Sequence, residues 1–318
     1  MRDDGALEPF DVVGIGVAVR DITVRLDPFP DHDSKVRALD LAETGGGPVA
    51  TALVTISRLG GRAAWIGPLG DDDASHFIER SLLAEGVDTR GAMRRPAAAS
   101  PASVILVEPG GARRVCEWRQ SDLHLAPDDL RDLDGIIEGC RALLVDGRYP
   151  EAQGGTASRV HLHGGLVAID CGHPRPGAEA LLAQCDVAVL SHSYARALDG
   201  GSLTAESFVR RLSEGISRDG RQIAGLTLGE EGCILAEGGG APRRFPAVRI
   251  ESTETVDTTG AGDVFHGALL FELVRGVALA EAAAFANAAA AFSCTRLTGR
   301  APIPGEEEIR HAAWTGRI

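Results

Sequence analysis

Short apolar runs rich in β-branched residues alternate along this chain with longer stretches in which apolar residues recur at helical spacing. The runs FDVVGIGVAV, ALLVDG, LVAIDCG, VAVLS and IAGLTLG have strand length, whereas ASHFIERSLLAEGV and LAEAAAFANAAAAFSC have the helical pattern. This alternation predicts a mainly parallel sheet flanked by helices, because parallel neighbours need a crossover connection between them. We expect the functional site beyond the carboxyl ends of the strands, where such sheets bind ligands.

Two stretches interrupt the alternation. Residues 21–43 and 102–123 have hairpin patterns with Pro and Gly turns, and each lies between a core strand and the next core element. We expect the two stretches to form a small β-sheet lid. The lid would project from a single α/β domain that covers residues 1–318, a length compatible with one such domain.

Charge and targeting signals limit the classes of partner. The formal net charge of −13 argues against a nucleic-acid or anionic-membrane surface, since both partners favour clustered Lys and Arg. No apolar run approaches the length of a membrane span, the start MRDDGALEPFD does not resemble a secretory leader, and the six cysteines include no Cys-x-x-Cys pair. We therefore expect a cytoplasmic protein.

The segment VDTTGAGDVFHGALL, residues 256–270, places glycines and aspartates at the start of a helical pattern. Gly260 and Gly262 let backbone N–H groups turn toward one point, where the positive end of the helix dipole also acts, so the segment is suited to hold an oxyanion. We expect Gly262 to need an unusual backbone conformation. Asp263 falls in the first turn, where it either accepts a proton from an attacking hydroxyl or only caps the helix. An anion beside a base is the arrangement that phosphoryl transfer to an alcohol needs.

Other nucleotide motifs are absent or incomplete. There is no G-x-x-x-x-G-K-[ST] segment, and the only lysine, Lys35, lies in a hydrophilic turn region, which argues against a P-loop protein or a protein kinase. The segment GIGVAV, residues 14–19, has two of the three glycines of a dinucleotide-binding turn, with Val19 in the third place. A nicotinamide dehydrogenase therefore stays open as an alternative, against a buried strand end.

The segment that contains Asp263 resembles the C-terminal signature of the ribokinase (PfkB) family of carbohydrate kinases, and GGGPVATALVTISRLGGRAAWIGPLGDDD, residues 45–73, resembles its N-terminal signature. Both occur in the family's order and spacing, so the resemblance covers essentially the whole chain. It implies a ribokinase-like α/β fold with a β-sheet lid, ATP as donor, Mg²⁺, and Asp263 as the base that activates a sugar hydroxyl. A kinase of nucleosides or other small alcohols and a catalytically silent sugar sensor stay open.

The resemblance also implies roles for other residues. The phosphate cradle would comprise Gly260, Ala261 and Gly262. Sugar-binding positions would be Asp21, Gly46, Gly47 and Thr51. ATP-binding positions would be Thr227, Gly229 and Gly232 in TLGEEG, with Asn287 at the adenine or as an ordinary helix-surface residue. A monovalent cation such as K⁺ would bind near Asp257, Thr259 and the loop at 294–300. Family members often pair their lids, so we also expect a homodimer.

The chain departs from the family pattern at two places. Thr51 stands where many members have Asn, so sugar recognition there must differ. The segment LSHSYARAL, residues 190–198, lacks the family's Asn-x-x-Glu, which is associated with Mg²⁺. We therefore expect Mg²⁺ to be held mainly by ATP and water.

The substrate of such a kinase is open between an anionic and a neutral sugar. The GGGP segment with Thr51, together with His266 and the CTRxxGR tail, looks most like the subgroup that includes sulfofructose kinases. Arg148, just past a predicted strand end, is placed to hold a sulfonate or phosphate. Glu117, in the lid stretch, would repel such an anion and favour a neutral sugar.

Overall fold

The computed structural model describes residues 8–119, 123–216, 222–250 and 254–318. The strands of these segments are β1 Val12–Ile15, β2 Val19–Arg25, β3 Asp40–Gly46, β4 Ala63–Leu69, β5 Asp88–Arg94, β6 Ala102–Val107, β7 Arg113–Trp118, β8 Ala142–Val145, β9 Leu166–Cys171, β10 Val187–Ser191, β11 Ile223–Thr227, β12 Cys233–Glu237 and β13 Arg243–Phe245. The α-helices are α1 Pro48–Arg58, α2 Asp73–Ala84, α3 Asp134–Ile137, α4 Pro150–Leu162, α5 Ala178–Leu182, α6 His192–Asp199, α7 Ala205–Gly215, α8 Ala261–Val274, α9 Leu279–Ser293 and α10 Glu306–Thr315. Short 3₁₀ turns cover Pro127–Leu133 and Gly229–Glu231.

The main sheet has the strand order β13-β12-β11-β10-β9-β8-β1-β4-β5. Strands β11 to β5 in this order pair in parallel, and β12 and β13 add an antiparallel edge. Strands β1, β4 and β8 are buried along their whole length, which explains why their sequences are continuous apolar runs rather than alternating ones. The prediction of a mainly parallel sheet is confirmed.

Helices cover both faces of this sheet. One apolar cluster joins the sheet to α1, α2, α8, α9 and α10, and a second joins the opposite face to α3, α4, α5, α6 and α7. Helix α8 packs against both α1 and α9, so it is apolar nearly all round, as a central helix must be. None of the helices in the described segments is both long and apolar enough to cross a membrane.

A second sheet, with the order β3-β2-β6-β7, projects from the main body. Strands β2 and β3 form one antiparallel pair, β6 and β7 form another, and β2 and β6 join the two in parallel. The two predicted lid stretches supply these strands, although residues 120–122 of the second stretch lie outside the described residues. Because side chains alternate along a strand, Asp21, Ser103 and Glu117 share one face of this sheet, and Ile22 and Val104 share the other.

Candidate active site

Helix α8 begins at a glycine turn. Gly260 has a φ of 73°, in the left-handed region, and a methyl group added to it would overlap the carbonyl oxygen of Gly299. Only glycine satisfies both conditions. Gly262 differs, because the helix already begins at Ala261 and a methyl group on Gly262 would meet no atom within 4 Å. The expectation of an unusual backbone conformation at Gly262 was therefore wrong, and that requirement belongs to Gly260.

The turn leaves backbone N–H groups at the start of α8 without acceptors in the helix. The backbone N–H of Val264 donates to the Gly260 carbonyl at 2.9 Å, and the first helical residues precede this bond. The N–H of Ala261 donates to the Thr258 carbonyl at 3.4 Å, whereas those of Gly262 and Asp263 have no partner within the helix and are available to an anion. Phosphate binding by Gly260, Ala261 and Gly262 stays a prediction that this geometry suits.

Asp263 lies half-buried in the first turn of α8, next to those N–H groups. Burial, and then the like charge of Asp170, raise the pKa of the Asp263 carboxyl, and the charge of Arg113 acts in the opposite direction. The negative charge of Asp21 also raises the pKa of Asp263, so the predicted base and the predicted sugar-binding carboxylate lie in one site. A carboxyl with a raised pKa is a stronger proton acceptor once it is ionised.

Asp170 is a site residue that sequence analysis missed. It lies near the end of β9 and is 8% exposed, and burial, followed by the negative charge of Asp146, raises the pKa of its carboxyl. Nε2 of His266 lies 3.4 Å from Oδ1 of Asp170, and burial lowers the pKa of His266 to about 4. His266 is therefore neutral at pH 7. The available signal was an aspartate at the end of the strand run LVAIDCG.

The predicted sugar pocket is built around Asp21 on β2. Burial raises the pKa of Asp21 to about 6, while the charge of Arg300 and a hydrogen bond from Ser103 lower it. A methyl group added to Gly46 would overlap Oδ2 of Asp21, which explains the glycine at that position. Gly47 lies just before α1 with a φ of 96°, and a methyl group added to it would overlap the carbonyl oxygen of Val17. The structure thus brings Asp21, Gly46 and Gly47 together, and sugar binding by them stays a prediction.

The side chain of Thr51 lies in a different environment from the sugar-binding position that was expected. Its side chain is 2% exposed in α1, and Nε of Arg300 approaches its Oγ1 at 3.3 Å. This contact favours a role behind the pocket rather than direct contact with sugar. Arg300 is, like Asp170, a site residue that sequence analysis missed. Sequence analysis placed Arg300 only in the cation loop, whereas the structure places it at the back of the sugar pocket.

Arg148 follows the carboxyl end of β8 and contacts Glu117 of the second sheet. Oδ1 of Asp146 accepts from the backbone N–H of Arg148 at 3.0 Å, so the strand end orients the arginine. Nη1 of Arg148 lies 3.3 Å from Oε1 of Glu117, and Nε lies 3.7 Å from Oδ2 of Asp146. Within the described residues, neither of these two nitrogens has a hydrogen-bond acceptor, although both are buried. The structure therefore places Arg148 and Glu117 beside each other.

The turn between β6 and β7 reaches the loop ahead of α8. Oγ1 of Thr258 donates to the carbonyl of Gly111 at 2.8 Å and accepts from Nη1 of Arg113 at 2.7 Å. The tip of the second sheet therefore rests on the predicted phosphate turn and brings the positive charge of Arg113 to it. Sequence analysis missed both contacts, because they join segments about half the chain apart.

The predicted ATP-binding residues lie on the side of the main sheet that ends in β13. Thr227 ends β11, and Gly229 and Gly232 both have positive φ in the turn that follows, where a methyl group on Gly232 would overlap the carbonyl of Phe245. Asn287 is buried in α9, and its Nδ2 donates to the carbonyls of Phe245 and Pro246 at 3.2 and 3.0 Å. The Asn287 amide thus supports the backbone, and it is not an ordinary helix-surface residue.

The predicted cation site is a tightly bonded loop. Both oxygens of the fully buried Asp257 accept backbone N–H groups, from Thr259 at 2.8 Å and from Thr298 at 2.9 Å. Oγ1 of Thr259 is buried and has no partner within the described residues. One free hydroxyl beside a carboxylate is compatible with a monovalent cation, which stays a prediction.

Sequence analysis assigns Mg²⁺ mainly to ATP and water rather than to side chains of this chain. The described residues contain no group of three or more His, Cys, Asp or Glu side chains arranged to hold a metal ion. In α6, which begins at His192, the missing Asn-x-x-Glu leaves no carboxylate at the expected place. That ATP and water hold Mg²⁺ stays a prediction, and we derive no step through the metal.

Comparisons with known proteins agree with the geometry. The model of the pfkB family of carbohydrate kinases matches residues 11–305. Fructokinase-1 of Zea mays is 27% identical over 296 residues, which cover 83% of this chain and 86% of that protein. A structure from Agrobacterium tumefaciens with a provisional ribokinase name has a TM-score of 0.85 and 28% identity, covering 98% and 100% of the chains. Arabidopsis thaliana ribokinase, solved with ribose and ATP, has a TM-score of 0.75 at 21% identity over 96% and 99% of the chains. These similarities confirm a ribokinase-like fold.

Proposed function

The chain belongs to the PfkB family of carbohydrate kinases, and from this premise we propose that it transfers the γ-phosphate of ATP to a hydroxyl of a small ketose bound over Asp21. The observation that carries the proposal is Asp263 with a raised pKa in the first turn of α8, beside the Gly260 turn. Membership of a kinase family with fructokinase and ribokinase relatives removes the support for a nicotinamide dehydrogenase. It also argues against a catalytically silent sensor.

We propose the following chemistry for these residues. Asp263 takes the proton of the sugar hydroxyl while the hydroxyl oxygen forms a bond to the γ-phosphorus and the bond to ADP breaks. The N–H groups after Gly260 hold the transferring phosphate, and their alignment with the helix dipole opposes the charge that develops on it. The charge of Arg113, held near Thr258, adds to this effect. Catalysis here is mostly positioning and charge stabilisation, as in other phosphoryl transfers.

The acceptor that we propose is a ketose with an anionic group at the end remote from the phosphorylated hydroxyl, such as 6-deoxy-6-sulfofructose. Its support is Arg148, whose Nε and Nη1 are buried without acceptors in the described structure. A guanidinium with two donors that make no hydrogen bond, although each lies within ion-pair distance of a carboxylate, suits a sulfonate or phosphate. The contact of Arg148 with Glu117 supports the alternative, a neutral sugar such as fructose or ribose, because that carboxylate already opposes the charge.

An ADP-release assay over neutral, phosphorylated and sulfonated ketoses and aldoses decides between the two acceptors. Arg148→Ala should lower kcat/KM for an anionic ketose by about tenfold or more, the equivalent of about 1.5 to 3 kcal/mol for a charged hydrogen bond, and should spare its neutral analogue. Glu117→Gln should raise turnover of anionic sugars, because it removes a repelling charge. A wild type that prefers fructose or ribose, with that preference unchanged in Arg148→Ala, would contradict the anionic substrate and leave the neutral one.

We also propose that the second sheet acts as a lid and pairs with the lid of a second copy. The contact between Gly111 and Thr258 supports closure over the phosphate turn, because the lid tip already reaches it. Closure would exclude water, which competes with the sugar for the phosphoryl group. Exposed apolar side chains on the outer face of the lid, including Val104 and Trp118, support pairing.

A further inference from the structure

Arg300 is a fully enclosed charge at the back of the sugar pocket. Its side chain is 6% exposed, and burial lowers the pKa of the guanidinium to about 10. Its nitrogens approach three acceptors on three elements, the Thr51 hydroxyl at 3.3 Å, the Ser81 hydroxyl at 3.3 Å and the Gly46 carbonyl at 3.0 Å. All three acceptors are neutral, and no carboxylate in the described part of the chain lies within ion-pair distance of Arg300. A buried charge without an ion pair is costly, so its presence needs an explanation.

Gly45 and Gly46 of β3, called the glycine pair below, lie between Arg300 and Asp21. A methyl group added to Gly45 would overlap Nη1 of Arg300, and one added to Gly46 would overlap Oδ2 of Asp21. The two charged groups therefore pack against neighbouring residues of one strand, with only backbone between them. Larger residues at these positions would force the charges apart.

The positive charge of Arg300 favours the ionised form of Asp21. After burial, which raises its pKa, the charge of Arg300 is the largest influence on Asp21, and it lowers that pKa. Other groups that act on Asp21 are Ser103 from β6, which lowers its pKa, and Glu117, Asp257 and Asp263, whose negative charges oppose its ionisation. Arg300 is thus the one cation among the strongest influences on Asp21.

We propose that Arg300 is a positioning residue that keeps Asp21 ionised and fixes the glycine pair, and that it thereby sets the affinity of the pocket for sugar. The inference rests on the proposed function only in that Asp21 binds the sugar. An ionised Asp21 accepts hydrogen bonds from two sugar hydroxyls, whereas a protonated one must give up an acceptor to donate. The charge of Arg300 favours the ionised form without itself touching the sugar.

Arg58 provides a matched control. Its Nη1 donates to the carbonyls of Arg300 and Ala301 at 3.1 and 2.9 Å, and its guanidinium pairs with Glu85. Arg58 therefore anchors the same loop by its backbone, and it is not among the strongest influences on Asp21. A variant of Arg58 loosens the loop without removing the charge behind the glycine pair.

The experiment titrates Asp21 in protein labelled with ¹³C at the aspartate side-chain carboxyls, with Asp21→Asn used for assignment. In the wild type we expect a midpoint near pH 6. Arg300→Gln should move this midpoint to higher pH by about one unit, because a positive charge that favoured the carboxylate is gone. Arg58→Gln should lower thermal stability and leave the midpoint in place. The NMR titration needs no substrate, so it stays decisive even if no sugar is phosphorylated, an outcome that would refute the proposed function instead.

Sugar kinetics give the second readout. With the midpoint moved from about pH 6 to about pH 7, kcat/KM of Arg300→Gln for sugar should fall by about fivefold relative to wild type at pH 6 and should recover toward pH 8.5. The KM for ATP should change little. Arg300→Lys keeps the charge, so it should restore most of the wild-type pH profile, and it carries the test if Arg300→Gln does not fold. An unmoved Asp21 midpoint in Arg300→Gln, or an Arg300→Lys profile shifted to higher pH, would overturn the inference.

Discussion

Gly260 and Gly262 belong to the same turn, yet the structure gives them different constraints. Gly260 needs its left-handed φ of 73° and has no room for a side chain beside Gly299. Gly262 lies in regular helix with open space around it. The sequence motif presents both glycines as equivalent, because the exact start of a helix is decided by packing with a distant loop. This is why the expectation placed the unusual backbone at Gly262.

The two glycines make a matched pair for mutation. Gly260→Ala should lower the free energy of unfolding by about 1 to 3 kcal/mol, from the left-handed backbone, with a further loss from overlap with Gly299. Gly262→Ala should keep or raise stability by up to about 1 kcal/mol, because alanine is the better helix former. Urea unfolding followed by circular dichroism measures both. Equal stability of the two variants would contradict the assignment of the turn to Gly260.

At the scale of elements, the lid sheet has two chemically different faces. The face that carries Asp21, Ser103 and Glu117 turns toward the proposed sugar pocket. The opposite face presents Val104, Leu41 and Trp118, which are 41%, 63% and 51% exposed. Alternation along four strands produces both faces at once, so one short insertion can serve a substrate and a second copy. A cluster of exposed large apolar side chains is typical of an interaction surface.

Pairing through the lid predicts a solution mass of two chains. Val104→Glu, which places a charge at the centre of the outer face, should reduce the mass from multi-angle light scattering to that of one chain at micromolar concentration. Leu162→Glu is the matched control, because Leu162 is 85% exposed on α4, away from the lid, and it should leave the dimer intact. A wild type that already has the mass of one chain would show that the lid does not pair.

At the scale of the whole molecule, the sequence was sufficient to predict those structural features that depend on local residue patterns. Hydrophobic periodicity gave the parallel sheet and its helices, and turn residues gave the strands of the lid. Asp263 was found because a helix start with glycines is a local signal. Arg300 and Asp170 act through neighbours that lie far away in the sequence, and only the folded chain brings them to Asp21 and Asp263.

The hypotheses for Thr51 and Asn287 also depended on side-chain partners that a local motif does not reveal. Thr51 was placed in the sugar pocket by its position in a signature, but its hydroxyl is bonded to Arg300 from the far end of the chain. Asn287 was placed at the adenine or on a helix surface; it is buried and its amide supports the carbonyls of Phe245 and Pro246, so the surface alternative is wrong and the adenine role stays a prediction. A motif identifies a position on the fold, and the direction in which its side chain is used depends on partners from other segments.

The central claim is that Asp263 is the base of ATP-dependent sugar phosphorylation. The direct test is ADP release by Asp263→Asn with the best sugar substrate, alongside calorimetric binding of ATP. We predict that kcat falls by roughly 10² to 10⁴ while the affinity for ATP stays within a few fold, because the base acts in the transition state and the N–H groups after Gly260 are unchanged. Retention of more than about a tenth of the wild-type kcat would contradict the claim, since it would remove Asp263 from the proton transfer.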